Sequence, residues 1–185
     1  TELDMLEKDS VAWLDRILRE AVVENIKASS RSERDAIQKR LAQALVRQQA
    51  TADLLGRRRL YIDTQGENKK RSYARYEIPE EETADEFLKK MEALTTPEAQ
   101  EIVEEHRKSL ASFKLGATVL AAWVIGKATK AVYKLIRREV KGGLSRDNAE
   151  SKVIKALENR DPGVTVTKSY AETVFKANLN TAYTS

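Results

Sequence analysis

At 185 residues, with 34% of them charged and only seven Gly and three Pro, the chain is long enough to bury one sizeable core and has the composition of a helical protein. It contains no Cys, which excludes disulfides, thiolate metal sites and cysteine nucleophiles. A net charge of +4 and a pI of about 9.2 permit contact with nucleic acid without demanding it.

The chain starts at Thr1 without a Met, from which we expect the natural N-terminus upstream. Leu3, Leu6, Leu14, Ile17, Leu18, Ala21, Val22 and Ile26 recur at helical spacing and predict an amphipathic helix over 1–28, with Trp13 packed. Ser30 and Glu33 form a capping box that opens a second helix. Its stripe is Ile37, Leu41, Ala44, Leu45, Gln48, Ala52 and Leu55, and Gly56 is its expected stop. The short link between them predicts an antiparallel helical hairpin over 1–59.

Periodicity is lost from Arg57 to Glu82, so 60–82 reads as a charged loop or linker. Arg57, Arg58, Arg59, Lys69, Lys70, Arg71 and Arg75 are interleaved with Tyr61, Tyr73 and Tyr76, and Glu77, Glu80, Glu81 and Glu82 follow. One reading is a solvated loop whose charge blocks partly neutralise each other. The other is a nucleic-acid surface, with cations on phosphates and rings on bases.

A third capping box, Thr83 with Glu86, opens a short helix whose face is Ala84, Phe87, Leu88, Met91 and Leu94. Thr96 caps the next, with Pro97 at its first position. From there to Lys141 runs the strongest helical signal, a seam of Ile102, His106, Leu110, Phe113, Ala117, Leu120, Val124, Ala128, Ala131 and Leu135. The segment 83–141 is thus expected to be a helical core with a long central helix. Its middle, 115–126, is apolar on every side, but twelve such residues rise only about 18 Å, short of the roughly 30 Å of a bilayer core. We expect a helix enclosed by protein and no membrane span. Past it, Lys127, Lys130, Lys134, Arg137 and Lys141 form a basic stripe, read either as a solvated face or as a contact with DNA or an acidic protein ring.

His106, the single His, sits on the apolar seam, where a packed, singly hydrogen-bonded histidine is expected rather than a metal ligand or base. No acid/base carboxylate pair and no phosphate-cradling loop is recognisable, so neither catalytic residues, metal, cofactor nor small-molecule substrate is expected.

Gly142-Gly143 stops the central helix. Leu144 then serves as a staple and Ser145 as the cap of a helix with Ala149, Val153, Ala156 and Leu157 on its face. Asp161-Pro162-Gly163 closes that helix, and Ser169 with Glu172 reads as the capping box of a last one. Its apolar stripe contains Asn178, expected to pin a backbone group of the preceding turn. The fold is therefore predicted to be all-α, ending in a helix–turn–helix pair over 142–185.

The whole of GGLSRDNAESKVIKALENRDPGVTVTKSYAETVFKANLNTAY resembles the phage head-morphogenesis family, the minor head proteins of tailed phages of the Mu F type. The residues that carry the resemblance are Gly143, Leu144 and Ser145, then Tyr170, Glu172, Thr173, Phe175, Lys176 and Asn178, leading to Ala182 and Tyr183. Where the family usually has Arg-Thr this chain has Lys176-Ala177, without the forked guanidinium or the hydroxyl. The resemblance implies a non-enzymatic minor capsid protein in the virion, in the capsid interior or at the portal vertex, reached from the host cytoplasm during assembly. Its implied partner is the phage portal protein, with capsid or scaffolding proteins and DNA as further candidates, and its role is head assembly and DNA packaging or delivery. The family domain normally runs past the Ala-Tyr pair, so 142–185 is expected to be its truncated start. The alternative is the N-terminal delivery portion of a protein fused to a downstream toxin or effector enzyme.

Overall fold

The computed structural model describes residues 2–69, 82–161, 164 and 166–184. Helix makes up 89% of the described residues, among which there are six helices and no strand, so the fold is all-α. In order they are α1 (Glu2–Lys27), α2 (Arg31–Lys69), α3 (Ala84–Ala93), α4 (Pro97–Lys141), α5 (Arg146–Glu158) and α6 (Lys168–Thr184).

Most helix starts are set by side chains satisfying the first free N–H groups. Ser30 accepts from Glu33 N–H at 3.2 Å while the Glu33 carboxylate accepts from Ser29 and Ser30 N–H. Those backbone bonds, Ser29's above all, hold the Glu33 carboxyl below its usual range. Thr83 and Glu86 make the same reciprocal pair at α3, which lowers the Glu86 carboxyl likewise. Thr96 and Ser145 accept from Ala99 and Asn148 N–H at 3.3 Å. The box expected at Ser169 is not the start of the last helix: α6 begins at Lys168, and the buried Thr167 before it donates its hydroxyl to Asp15.

Two helix ends are Schellman turns. At the end of α4, Leu144 N–H reaches Glu139 C=O at 3.3 Å and Gly143 N–H reaches Val140 C=O at 3.0 Å, with Gly143 at φ +105°. At the end of α5, Asp161 N–H reaches Ala156 C=O at 2.9 Å, and Arg160 takes the left-handed position at φ 54°.

The helix stop expected at Gly56 does not occur. α2 runs on to Lys69, so the first part of the expected linker, 60–69, is helical; residues 70–81 of it lie outside the described residues. Gly56 is instead a contact point. A Cβ there would lie 2.8 Å from Ala182 Cβ and closer still to the Leu179 carbonyl oxygen, so the bare glycine lets α2 and α6 touch backbone to backbone.

The chain forms two compact units, neither contiguous in sequence. The first comprises Thr1–Ser10, Val46–Leu115 and Val174–Ser185. Part of its core is Phe87, Met91, Ala99 and Val103, edged by Tyr61, Leu88, Leu94 and Ile102. The second comprises Val11–Leu45 and Gly116–Thr173. In its core Val22 and Val23 of α1 meet Ala128, Val132 and Ile136 of α4 and Ala149, Val153, Ile154 and Leu157 of α5.

α4 is buried on one side only. Ala117, Ala121, Val124, Ala128, Val132 and Ile136 face inward, so toward its end the buried seam is displaced by one residue from the expected Ala131 and Leu135. The bulky residues between them turn outward: Leu115, Val119 and Trp123 are exposed, which overturns the expectation of a helix enclosed all round. By length and composition α4 could cross a membrane, and only 22% of its most apolar 18-residue window is buried.

Candidate anion-binding interface

The basic stripe of α4 is held outward because the residues between its members face the core. Lys127, Lys130, Lys134, Arg137 and Lys141 are all exposed. Lys130, Lys134, Arg137 and Lys141 line one groove of about 670 Å³, together with Tyr133, Val140 and Arg146. Lys127 stands outside it. Arg146 was not legible as a member, because what brings it there is the chain reversal: the Gly143 turn places the first residue of α5 beside the end of α4.

The groove contains cations and no carboxylate. From His106 to Arg138 α4 has no Asp or Glu at all, and Glu139, the first to follow, is engaged by Lys152 at 2.7 Å. Cations in the last turn also favour the helix dipole, which accounts for Arg138 and Lys141 but not for the stripe two turns earlier.

The other cationic cluster expected as a contact is taken apart by the fold. Because α2 continues through Gly56, Arg57 and Arg58 fall on its inner side and are buried. Arg57 donates to Asp53 at 3.0 and 3.1 Å and to Ser109 at 3.2 Å. Arg58 lies 3.5 Å from the buried Glu82, which Lys90 approaches at 3.6 Å. Neither arginine is available to an external polyanion. Arg59 stacks over the Tyr183 ring at 4.8 Å, and Tyr183 donates its hydroxyl to Asp63 at 2.8 Å. The side chain of Lys69, and all of Lys70 and Arg71, lie outside the described residues.

Asp53 gave no signal in the sequence, yet it is the centre of a buried network. His106 is buried and shares a 2.6 Å hydrogen bond with it through Nδ1. Burial pushes the Asp53 carboxyl up, but the hydrogen bonds from His106 and Arg57 and their charges outweigh it and hold it below the usual range. Every member of this network is spent on another, as in an internal ion cluster. Among the described residues no group of three His, Asp or Glu converges enough to hold a metal ion.

The residues of the C-terminal motif serve the fold. Gly143 makes the turn, Leu144 packs at the edge of the second unit's core and Ser145 caps α5. Tyr170 meets Trp123 edge-on at 5.8 Å. Thr173 donates to Ser169 C=O at 2.8 Å, and Glu172 is half-buried. Phe175 is fully buried, Ala182 is the surface that Gly56 touches, and Lys176 lies 3.9 Å from Glu7. Asn178 donates to the Val174 carbonyl at 2.6 Å, one turn back in its own helix.

Comparison with known proteins found no family model, no curated protein and no solved structure that matches the chain.

Proposed function

We propose that this chain is a non-enzymatic binding protein of the phage head, a minor head protein that associates with the portal and aids head assembly and DNA packaging or delivery. The observation that carries this reading is the motif from Gly142 to Tyr183. The groove of Lys130, Lys134, Arg137, Lys141 and Arg146 supports a role in binding rather than in chemistry, since it offers clustered positive charge to an anionic counterpart. The Asp53–His106–Arg57 network fits the same reading, its members being committed to each other.

The test is quantitative mass spectrometry of purified particles of the phage or prophage that encodes the chain, counting it against portal subunits. A few to a dozen copies per particle is the expected result. Absence from particles, with the protein plentiful in the infected cell, overturns the virion assignment. Peptides extending well beyond Ser185 in the particle would turn the reading toward the effector-fused form.

A further inference from the structure

The outward face of α4 changes character halfway along. Val119, Ala122, Trp123 and Gly126 recur three and four residues apart, and all are exposed, Val119 to 74% and Trp123 to 50%. At the same spacing, and so on the same side of a helix with 3.6 residues per turn, the face continues as Lys130, Lys134, Arg137 and Lys141. Tyr133 and Val140, also exposed, carry an apolar edge along the basic half. A Cβ added at Gly126 would meet nothing within 4 Å, so the strip is open there, and Trp123 keeps half of its surface free although the Tyr170 ring meets it edge-on. Folded chains seldom leave a contiguous apolar strip in water without using it.

The chemistry of the face selects its occupant. The basic half, with no carboxylate between His106 and Arg138, calls for a polyanion. Nucleic acid would supply phosphates but leave Val119 and Trp123 in water. A second copy laid parallel would set lysine on lysine, and one laid antiparallel would set lysines on the apolar half. An anionic bilayer supplies both needs at once: phosphate headgroups at its surface and acyl chains a few ångströms below, with Trp and Tyr favoured at the boundary.

We infer that this face of α4 docks on a bilayer bearing anionic headgroups. Val119 and Trp123 enter the acyl boundary, and Lys130, Lys134, Arg137 and Lys141 rest among the phosphates. The opposite side of the helix, Val124, Ala128 and Val132, stays in the protein core, so α4 lies on the membrane rather than across it.

The test is flotation of the full chain with unilamellar vesicles of phosphatidylcholine alone or mixed with phosphatidylglycerol. The chain is expected to float with the mixed vesicles and not with the neutral ones. Trp123 emission, isolated as the difference between the wild type and Trp123→Phe, is expected to shift to the blue and to be quenched by brominated acyl chains. Val119→Asp should abolish that shift, and Lys130→Ala with Lys134→Ala should weaken binding about 30-fold. All four positions are exposed, so the variants should keep the wild-type helical circular dichroism. Failure to float with the mixed vesicles overturns the inference, as does flotation with Trp123 emission unmoved. Duplex DNA binding that is as sensitive to Val119→Asp as to the lysine pair would assign the face to nucleic acid instead.

Discussion

Gly56 and Gly126 are both glycines inside long helices, and opposite outcomes are expected of them. At Gly56 an added methyl would press on α6 backbone, so Gly56→Ala should destabilise the protein by about 1–3 kcal/mol in urea unfolding. At Gly126 the same methyl meets open space, and Gly126→Ala should stabilise by about 0.5–1 kcal/mol through the loss of backbone freedom in the unfolded chain. Asp53 is the other residue on which much depends. Asp53→Asn leaves Arg57 buried against a neutral partner, at an expected cost of about 3–5 kcal/mol. The carboxyl titrates below its usual range in the folded state. Its contribution is therefore fully present above about pH 4 and is lost as pH falls through the lower folded value. Thermal unfolding followed across that window should show the wild type losing more stability on acidification than Asp53→Asn.

At the scale of the element, the two Schellman turns make a matched pair of experiments. Arg160 holds a left-handed backbone at φ 54°, where a Cβ is disfavoured, so Arg160→Gly should stabilise the chain by about 0.5–1 kcal/mol. Gly143→Ala should cost about 1–2 kcal/mol, because φ +105° is a glycine conformation. Both are measurable as shifts in the thermal midpoint. These turns also mark what could be read beforehand. Capping boxes at Ser30 and Thr83 and the Gly142-Gly143 stop are local chemistry, and local chemistry is written in adjacent residues. Gly56 misleads for the same reason: a glycine after an apolar stripe is the local signature of a helix end, whereas here its role is set by α6, far along the chain. The middle of α4 misleads because an all-round apolar sequence does not say which side a neighbour covers. The small residues Ala117, Ala121 and Ala128 took the inner side and left Val119 and Trp123 outside. In the basic stripe the α4 members were legible from spacing alone, but Arg146 needed the turn, and Arg57 and Arg58 needed knowledge of Asp53 and Glu82 as partners.

At the scale of the whole molecule, four of the six helices, α1, α2, α4 and α6, contribute residues to both compact units. A helix propagates its order along its own backbone, so each unit's helices are extended by the other's. Unfolding is therefore expected to be one cooperative transition. Tryptophan fluorescence, which reports on Trp13 and Trp123 in the second unit, should coincide with total helicity by circular dichroism; two separated transitions would contradict this. One feature of α4 reaches beyond stability. The groove around Lys130 and Lys134 contains neither histidine nor carboxylate, the side-chain types whose ordinary titration falls between about pH 4 and 7. Its pull on an anion is therefore deaf to acidity across that range and answers instead to dissolved salt, whose screening length shrinks from about 30 Å at 0.01 M to about 8 Å at 0.15 M. Such a surface works as a gauge of ionic strength, gripping its counterpart in dilute solution and loosening in concentrated salt.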